Sequence, residues 1–191
     1  MHHFNFYICF TEGGNYAFRR CTSLSNASFE SPSSVSLIGI AAFSECNSLR
    51  QINTPSSVIT IQKASFEDCP SLEQVTISST SIYSYDDFIF NGCIFLKRIY
   101  IPSSITRIGA FAFCGLSSLA QLSIPSSNQK IEEAAFNGCP SLTQISIPPS
   151  ETFVRNNASS ECQSLNEISI PESLSLDNAG ITFSFSEINK I

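Results

Sequence analysis

Apolar residues recur along this chain with two nested periods. The shorter is seen in Leu142-Thr-Gln-Ile145-Ser-Ile147, where the last apolar positions alternate with polar ones. Alternation at a period of two places successive side chains on opposite faces, as in a half-buried β-strand. The longer period is about 23 residues, and it carries four residue types in one register. Leucine marks it at Leu49, Leu72, Leu96, Leu119, Leu142 and Leu165. Phenylalanine follows at Phe43, Phe66, Phe90, Phe113 and Phe136, with Ser159 breaking the series. Cysteine follows at Cys46, Cys69, Cys93, Cys139 and Cys162, with Leu116 in the missing slot. Proline closes each unit at Pro32, Pro55, Pro102, Pro125, Pro148 and Pro171; the 47-residue interval from Pro55 to Pro102 is two units plus one inserted residue.

Repeats of this length mean stacked supersecondary units. The ending Leu142-x-x-Ile145-x-Ile147 is the strand pattern of a leucine-rich repeat. It predicts stacked parallel strands near residues 49–54, 72–77, 96–101, 119–124, 142–147 and 165–170, with the leucines inward. The proline after each strand has no amide hydrogen for the ladder and turns the chain. Ile131 through Phe136 reads as a return segment, an irregular strand or turn on the opposite face, and Asn91-Gly92 and Asn137-Gly138 mark its corner. One such coil cannot bury its apolar face alone, so several must stack. The expected fold is a right-handed, mainly β leucine-rich repeat solenoid of about seven turns, with parallel concave strands and irregular convex strands or turns. Residues 1–28 form a degenerate half-repeat around Ala17–Leu24. Residues 29–170 form an array of about six units, and residues 171–191 a degenerate unit and tail in which 181–186 could add a closing strand.

Two stretches resemble one family within this class. Ile101-Pro-Ser-Ser-Ile105-Thr-Arg-Ile108-Gly109-Ala-Phe-Ala112-Phe113 and Gly138-Cys139-Pro-Ser-Leu142-Thr-Gln-Ile145 are similar to the BspA-like leucine-rich repeats, over about residues 29–174. The resemblance implies surface proteins of anaerobic bacteria and parasitic protists, linked to adhesion to host proteins and cells. It also implies a shared scaffold without a shared catalytic site, so no active-site residues carry over. Asn128, Glu151 and Asp177 depart from the pattern by standing at positions that are usually apolar.

Composition refines this picture. Charged residues reach only 14%, and 35 serines take their place, so hydroxyls and amides must solubilise the surface. Sixteen phenylalanines argue against disorder. A net charge of −6 without any basic run excludes an electrostatic nucleic-acid binder. No apolar stretch approaches the roughly 20 residues of a spanning helix, so membrane insertion is not expected. The N-terminal run Met1–Phe10 lacks Lys and Arg and makes a poor signal peptide, although the resemblance implies a surface or secreted protein. Asn26-Ala-Ser and Asn157-Ala-Ser are glycosylation sequons should the chain enter a secretory route.

Candidate chemistry is sparse. The column cysteines read as reduced core residues, whereas Cys9 and Cys114 lie off the column and are the expected reactive thiols. No C-x-x-C pair suggests zinc, and His2 and His3 are the only histidines, so no metal, cofactor or Ser/His/Asp site is expected. Asp86-Asp87 reads as a solvated turn in the irregular third unit. What remains is the concave face, where repeat proteins commonly hold partners. One outward column reads Gln51, Gln74, Arg98, Gln121, Gln144, Glu167, and its neighbour reads Asn53, Thr76, Tyr100, Ser123, Ser146, Ser169. The plainest reading of both is a solvating amide and hydroxyl ladder. Arg98 and Tyr100 stand out from it, with Lys97 adjacent and Ile94 and Phe95 in the corner, because Tyr and Arg are favoured contact residues. The expected function is therefore non-catalytic protein binding through the concave face: adhesion, or recognition of a host or matrix protein. An intracellular scaffold using the same face, or a decayed fragment without its own role, are the alternatives. Oligomeric state is left open.

Overall fold

The computed structural model describes residues 5–8, 14–29, 32–146, 153–155 and 157–169. Its strands are β1 (Asn5–Ile8), β2 (Asn26–Phe29), β3 (Leu37–Ile38), β4 (Gln51–Thr54), β5 (Thr60–Ile61), β6 (Gln74–Ile77) and β7 (Ser84–Tyr85). They continue with β8 (Arg107–Ile108), β9 (Gln121–Ser123), β10 (Lys130–Ile131), β11 (Gln144–Ser146), β12 (Phe153–Val154) and β13 (Glu167–Ser169). All pairings among them are parallel, with registers that step by one repeat. Gln51 faces Gln74 and Gln121 faces Gln144 on the concave side, while Arg107 faces Lys130 on the convex side. The chain is thus a parallel solenoid, with about five coils in the described residues. No described helix is long and apolar enough to cross a membrane.

The four repeating residue types each do a separate job in the stack. Leu49, Leu72, Leu96, Leu119 and Leu142 are fully buried, as the repeat pattern predicted. Phe18, Phe43, Phe66, Phe90, Phe113 and Phe136 form one column of near-parallel rings with centroids 5.1–5.9 Å apart. The second serine of the Pro-Ser-Ser corner stitches coils together: Ser57, Ser104 and Ser127 hydroxyls donate to the Val35, Ile82 and Ile105 carbonyls at 2.7, 2.6 and 2.9 Å. Those carbonyls lie at the corners, outside the strand ladders, and a hydroxyl supplies the donor they would otherwise lack. Asn128 is buried in the Val/Ile column that it interrupts. Glu151 and Asp177 lie outside the described residues, as does the expected closing strand at 181–186.

The return segment is a turn built on left-handed residues. In coil 2 they are Ala64 and Asp68, with φ of 57° and 52°, flanking Phe66. This alternation points the amides of residues 64, 66 and 68 the same way, and they donate to Asp87, Ile89 and Asn91 of the next coil at 2.9, 3.0 and 2.8 Å. Each non-glycine residue held in this region costs about 1–2 kcal/mol, which the intercoil hydrogen bonds offset. Gly92 stands at this position in coil 3, where φ is 75° and an added Cβ would lie 2.2 Å from Asp68 Oδ1.

The six predicted concave strands do not form one sheet. β1, β2, β4 and β6 make one, β9, β11 and β13 another, and 96–101 joins neither. That segment makes a single bridge, Arg98 to Gln74. The convex side is also broken, one junction earlier, where β5 does not pair with β7. The extra residue of coil 3 falls in 78–81, between β6 and β7, on the approach to β7. Among the described residues, no serine there makes the corner stitch to Val58.

Candidate functional site on the third coil

The concave break has its own cause. Tyr85 occupies the column of Ile38, Ile61, Ile108 and Ile131, and its larger side chain is fully buried. Its ring meets Phe90 and Phe113 edge-on, each at 5.8 Å. Its hydroxyl crosses the interior and donates to the Tyr100 carbonyl at 2.8 Å. A carbonyl drawn toward the core cannot also point along a ladder, so the third strand is lost where Tyr100 begins to turn.

The outward side of the same coil differs from all others. Ile94, Phe95 and Tyr100 are exposed, Tyr100 by 65%. The equivalent positions hold Asn47, Ser48 and Asn53 in coil 1, Pro70, Ser71 and Thr76 in coil 2, and Ser117, Ser118 and Ser123 in coil 4. Lys97 and Arg98 are exposed between them. Of the other concave-column residues, Asn53, Gln74, Thr76, Gln121 and Ser123 are exposed and Gln51, Gln144 and Ser146 half-buried. Glu167 and Ser169 belong to β13, and their side chains lie outside the described set. Among the described residues, the glutamines of this column make no side-chain hydrogen bond to one another along the stack. Among the described residues of these columns, the one side-chain hydrogen bond is Gln51 Nε2 to Asn53 Oδ1, at a long 3.5 Å. The side chains of Asn53, Gln74, Thr76, Gln121 and Ser123 face solvent. Beyond the strand ends lies an open depression of about 490 Å³, lined by Phe29, Pro32, Asn53, Pro55 and Ser78 among others.

With the coil geometry in hand, the relatives can be placed. A family model for the BspA-type leucine-rich repeat region matches in six copies, over residues 11–131 and 84–191. The chain belongs to that family. Solved structures are similar as well, two of them as follows. The leucine-rich repeat protein of T. pallidum is 26% identical, with a TM-score of 0.69 over 82% of this chain and 72% of its own. A leucine-rich repeat protein from Bacteroides ovatus is 28% identical, with a TM-score of 0.62 over 82% of this chain. This chain spans about half the length of the Bacteroides protein. No curated protein matches it.

In this BspA-type repeat the cysteine column is a hydrogen-bonded part of the core. Cys46, Cys69, Cys93, Cys139 and Cys162 are free and buried. Their thiols donate to the carbonyls of Phe18, Phe43, Phe66, Phe113 and Phe136 in the preceding coil, at 3.0–3.1 Å. Periodicity places these thiols inside but says nothing of their acceptors. Burial pushes Cys46 and Cys93 up to about 12, and Cys69 well above the usual thiol range. The expectation for reactive thiols needs amending. Cys9 lies outside the described residues, Cys114 is half-buried with burial raising its pKa, and among the described residues the exposed cysteine is Cys21. Cys21 keeps the column register but sits at the N-terminal end of the turn stack, where cover is thinnest.

The reading of Asp86-Asp87 as a solvated turn is also corrected. Arg107 pairs with Asp87 at 2.8 Å and Asp86 at 3.9 Å, and Asp87 Oδ1 accepts the Ala110 amide at 3.0 Å. The network continues along the convex face through Glu132, which Arg107, Lys130 and Arg155 approach at 3.3, 2.7 and 2.9 Å. Residues 20 to 25 apart meet here because coils stack, which no local pattern reveals. Of the sequons, Asn157 is exposed in a turn and Asn26 is half-buried within β2. Among the described residues no group of three His, Cys, Asp or Glu converges to hold a metal. The histidines lie outside the described set.

Proposed function

We propose that this repeat module binds another protein through its concave face, with coil 3 at the centre of contact and Arg98 and Tyr100 as its anchors. One observation carries the reading. Ile94, Phe95 and Tyr100 are exposed within seven residues, at positions that are Asn, Pro, Ser, Gln or Thr in the other five coils. Large apolar side chains on a concave face otherwise lined by amides and hydroxyls are costly to solvate, and a partner that covers them recovers that cost. Tyr and Arg dominate contact energies where an aromatic ring and a guanidinium can be desolvated together. Flanking Gln51, Asn53, Gln74, Thr76, Gln121, Ser123, Gln144, Ser146, Glu167 and Ser169 would then supply the polar rim. Adhesion to a host or matrix protein is the setting this reading favours, in keeping with the family resemblance.

A photocrosslinking residue placed at position 100, and separately at the convex position 83, tests the placement in native cells. Crosslinks to a protein from position 100 and not from 83 support it. Crosslinks from 83 alone overturn it. In a binding assay with the captured partner, Arg98→Ala with Tyr100→Ala should cost about 2 kcal/mol or more while leaving circular dichroism unchanged.

A further inference from the structure

We infer that the partner offers coil 3 an extended acidic protein segment, with a carboxylate on Arg98 and an apolar side chain on Tyr100. This rests on the concave-face reading above and adds the chemistry of the occupant.

The chain carries a net charge of −6, yet its cations are unevenly used. Arg19 and Arg20 hold Glu45, while Arg107, Lys130 and Arg155 hold the convex carboxylates. Lys63 sits over the Phe88 ring at 5.2 Å. The other cations of the described residues are Arg50, Lys97 and Arg98. All three lie at the start of the concave segments, all are exposed, and none forms an ion pair within the described residues. Against these three stand Glu73 and, in β13, Glu167, which leaves the concave positions at three minus two, or +1, on an acidic molecule, with the cations gathered in coils 1 to 3 and Glu167 in coil 6. An unneutralised positive face on a negative body steers acidic partners to that face and repels them elsewhere.

The occupant's shape follows from spacing. Arg98 and Tyr100 are two residues apart and both exposed. A partner strand presents its own side chains at the same period, so an acidic and an apolar residue two apart would meet guanidinium and ring together. The guanidinium is free to take a carboxylate in a two-pronged bond. Lys97 lies beside it, and Phe95 extends the apolar contact toward the corner.

The test selects short random peptides displayed on phage against the immobilised full chain, and separately against the chain carrying Lys97→Glu and Arg98→Glu. The recovered peptides should be enriched in Asp or Glu spaced two from an aliphatic or aromatic residue, and the charge-reversed chain should not recover them. A synthetic copy of the best peptide should bind at least about tenfold more weakly to the reversed chain and should weaken with added salt. Circular dichroism checks that the reversed chain is folded, and Lys97→Gln with Arg98→Gln serves if it is not. Peptides without an acidic excess, no enriched peptides at all, or affinity indifferent to salt and to charge reversal overturns the inference. A crosslink from position 100 to a partner lacking an acidic stretch sinks this inference alone. Crosslinks from position 83 only sink the concave-face reading as well.

Discussion

Replacing Tyr85 with phenylalanine removes one oxygen atom and tests how coil 3 is held. The ring remains, with its edge contacts to Phe90 and Phe113 at 5.8 Å, so no cavity opens. What goes is the 2.8 Å hydrogen bond to the Tyr100 carbonyl. The Tyr85 side chain is fully buried. The Tyr100 end of this bond is only part-buried, so the loss expected for Tyr85→Phe is that of an ordinary intramolecular hydrogen bond, about 0.5–1.5 kcal/mol. Tyr85→Ile restores the column's usual residue but also forfeits two aromatic contacts of about 0.5–1.5 kcal/mol each. It should therefore be less stable than Tyr85→Phe. Urea unfolding followed by circular dichroism measures both, with an unchanged slope needed for the comparison. Amide exchange at Ile99–Ile101 should quicken in either variant. A Tyr85→Phe chain as stable as the parent would refute the role given to the hydroxyl. A Tyr85→Ile chain more stable than the parent would show the tyrosine to be a misfit in its column.

Three further outcomes are expected. Leu119→Ala or Leu142→Ala should each cost about 2–5 kcal/mol in the same unfolding assay, as truncations of fully buried side chains; losses below this range would contradict their place in the core. A thiol reagent followed by mass spectrometry should modify Cys21 before Cys114, and both before Cys69 or Cys93, whereas early modification of the column would contradict the hydrogen-bonded stack. Burial pushes the Glu132 carboxyl up, but hydrogen bonds and charge from Lys130 and Arg107 outweigh it and hold the group below its ordinary value. A lowered folded-state pKa means that this stabilisation is present above the unfolded carboxylate range, near pH 4, and is lost as pH falls through the folded value. Glu132→Gln should accordingly narrow the stability gap between neutral and acid pH, and an unchanged gap would count against the network.

Alternation within each unit made much of this molecule legible. Ile145 and its equivalents face inward because side-chain direction in a strand follows from position alone. Leu142, three residues earlier and outside the strand, follows from the leucine-rich repeat pattern. Alternation also put Arg98 and Tyr100 outside. It failed for the strand at 96–101, because the rule assumes a ladder on both sides, and coil 3 lacks one. The hydroxyl that disrupts the ladder belongs to Tyr85, fifteen residues from the carbonyl it holds. A tyrosine in an isoleucine column was visible as an irregularity, but its target was not. Asp87 and Arg107 were likewise plain in the chain and unrelated until stacking brought them together.

The amino-acid sequence by itself determined the period, the inward columns and the parallel stacking, because a 23-residue unit with one apolar face has few other ways to hide it. Tertiary structure alone decided which junctions between coils are fully paired. That outcome depends on one inserted residue in 78–81 and one phenol reaching across the core. Tertiary structure also decided which cations stay unpaired. Arg107 is matched by carboxylates that stacking delivers from neighbouring coils, while Arg98 meets none on a concave face of amides and hydroxyls. Pairing between coils is a matter of distance through space, and a periodic sequence fixes direction within a coil long before it fixes what the next coil brings alongside.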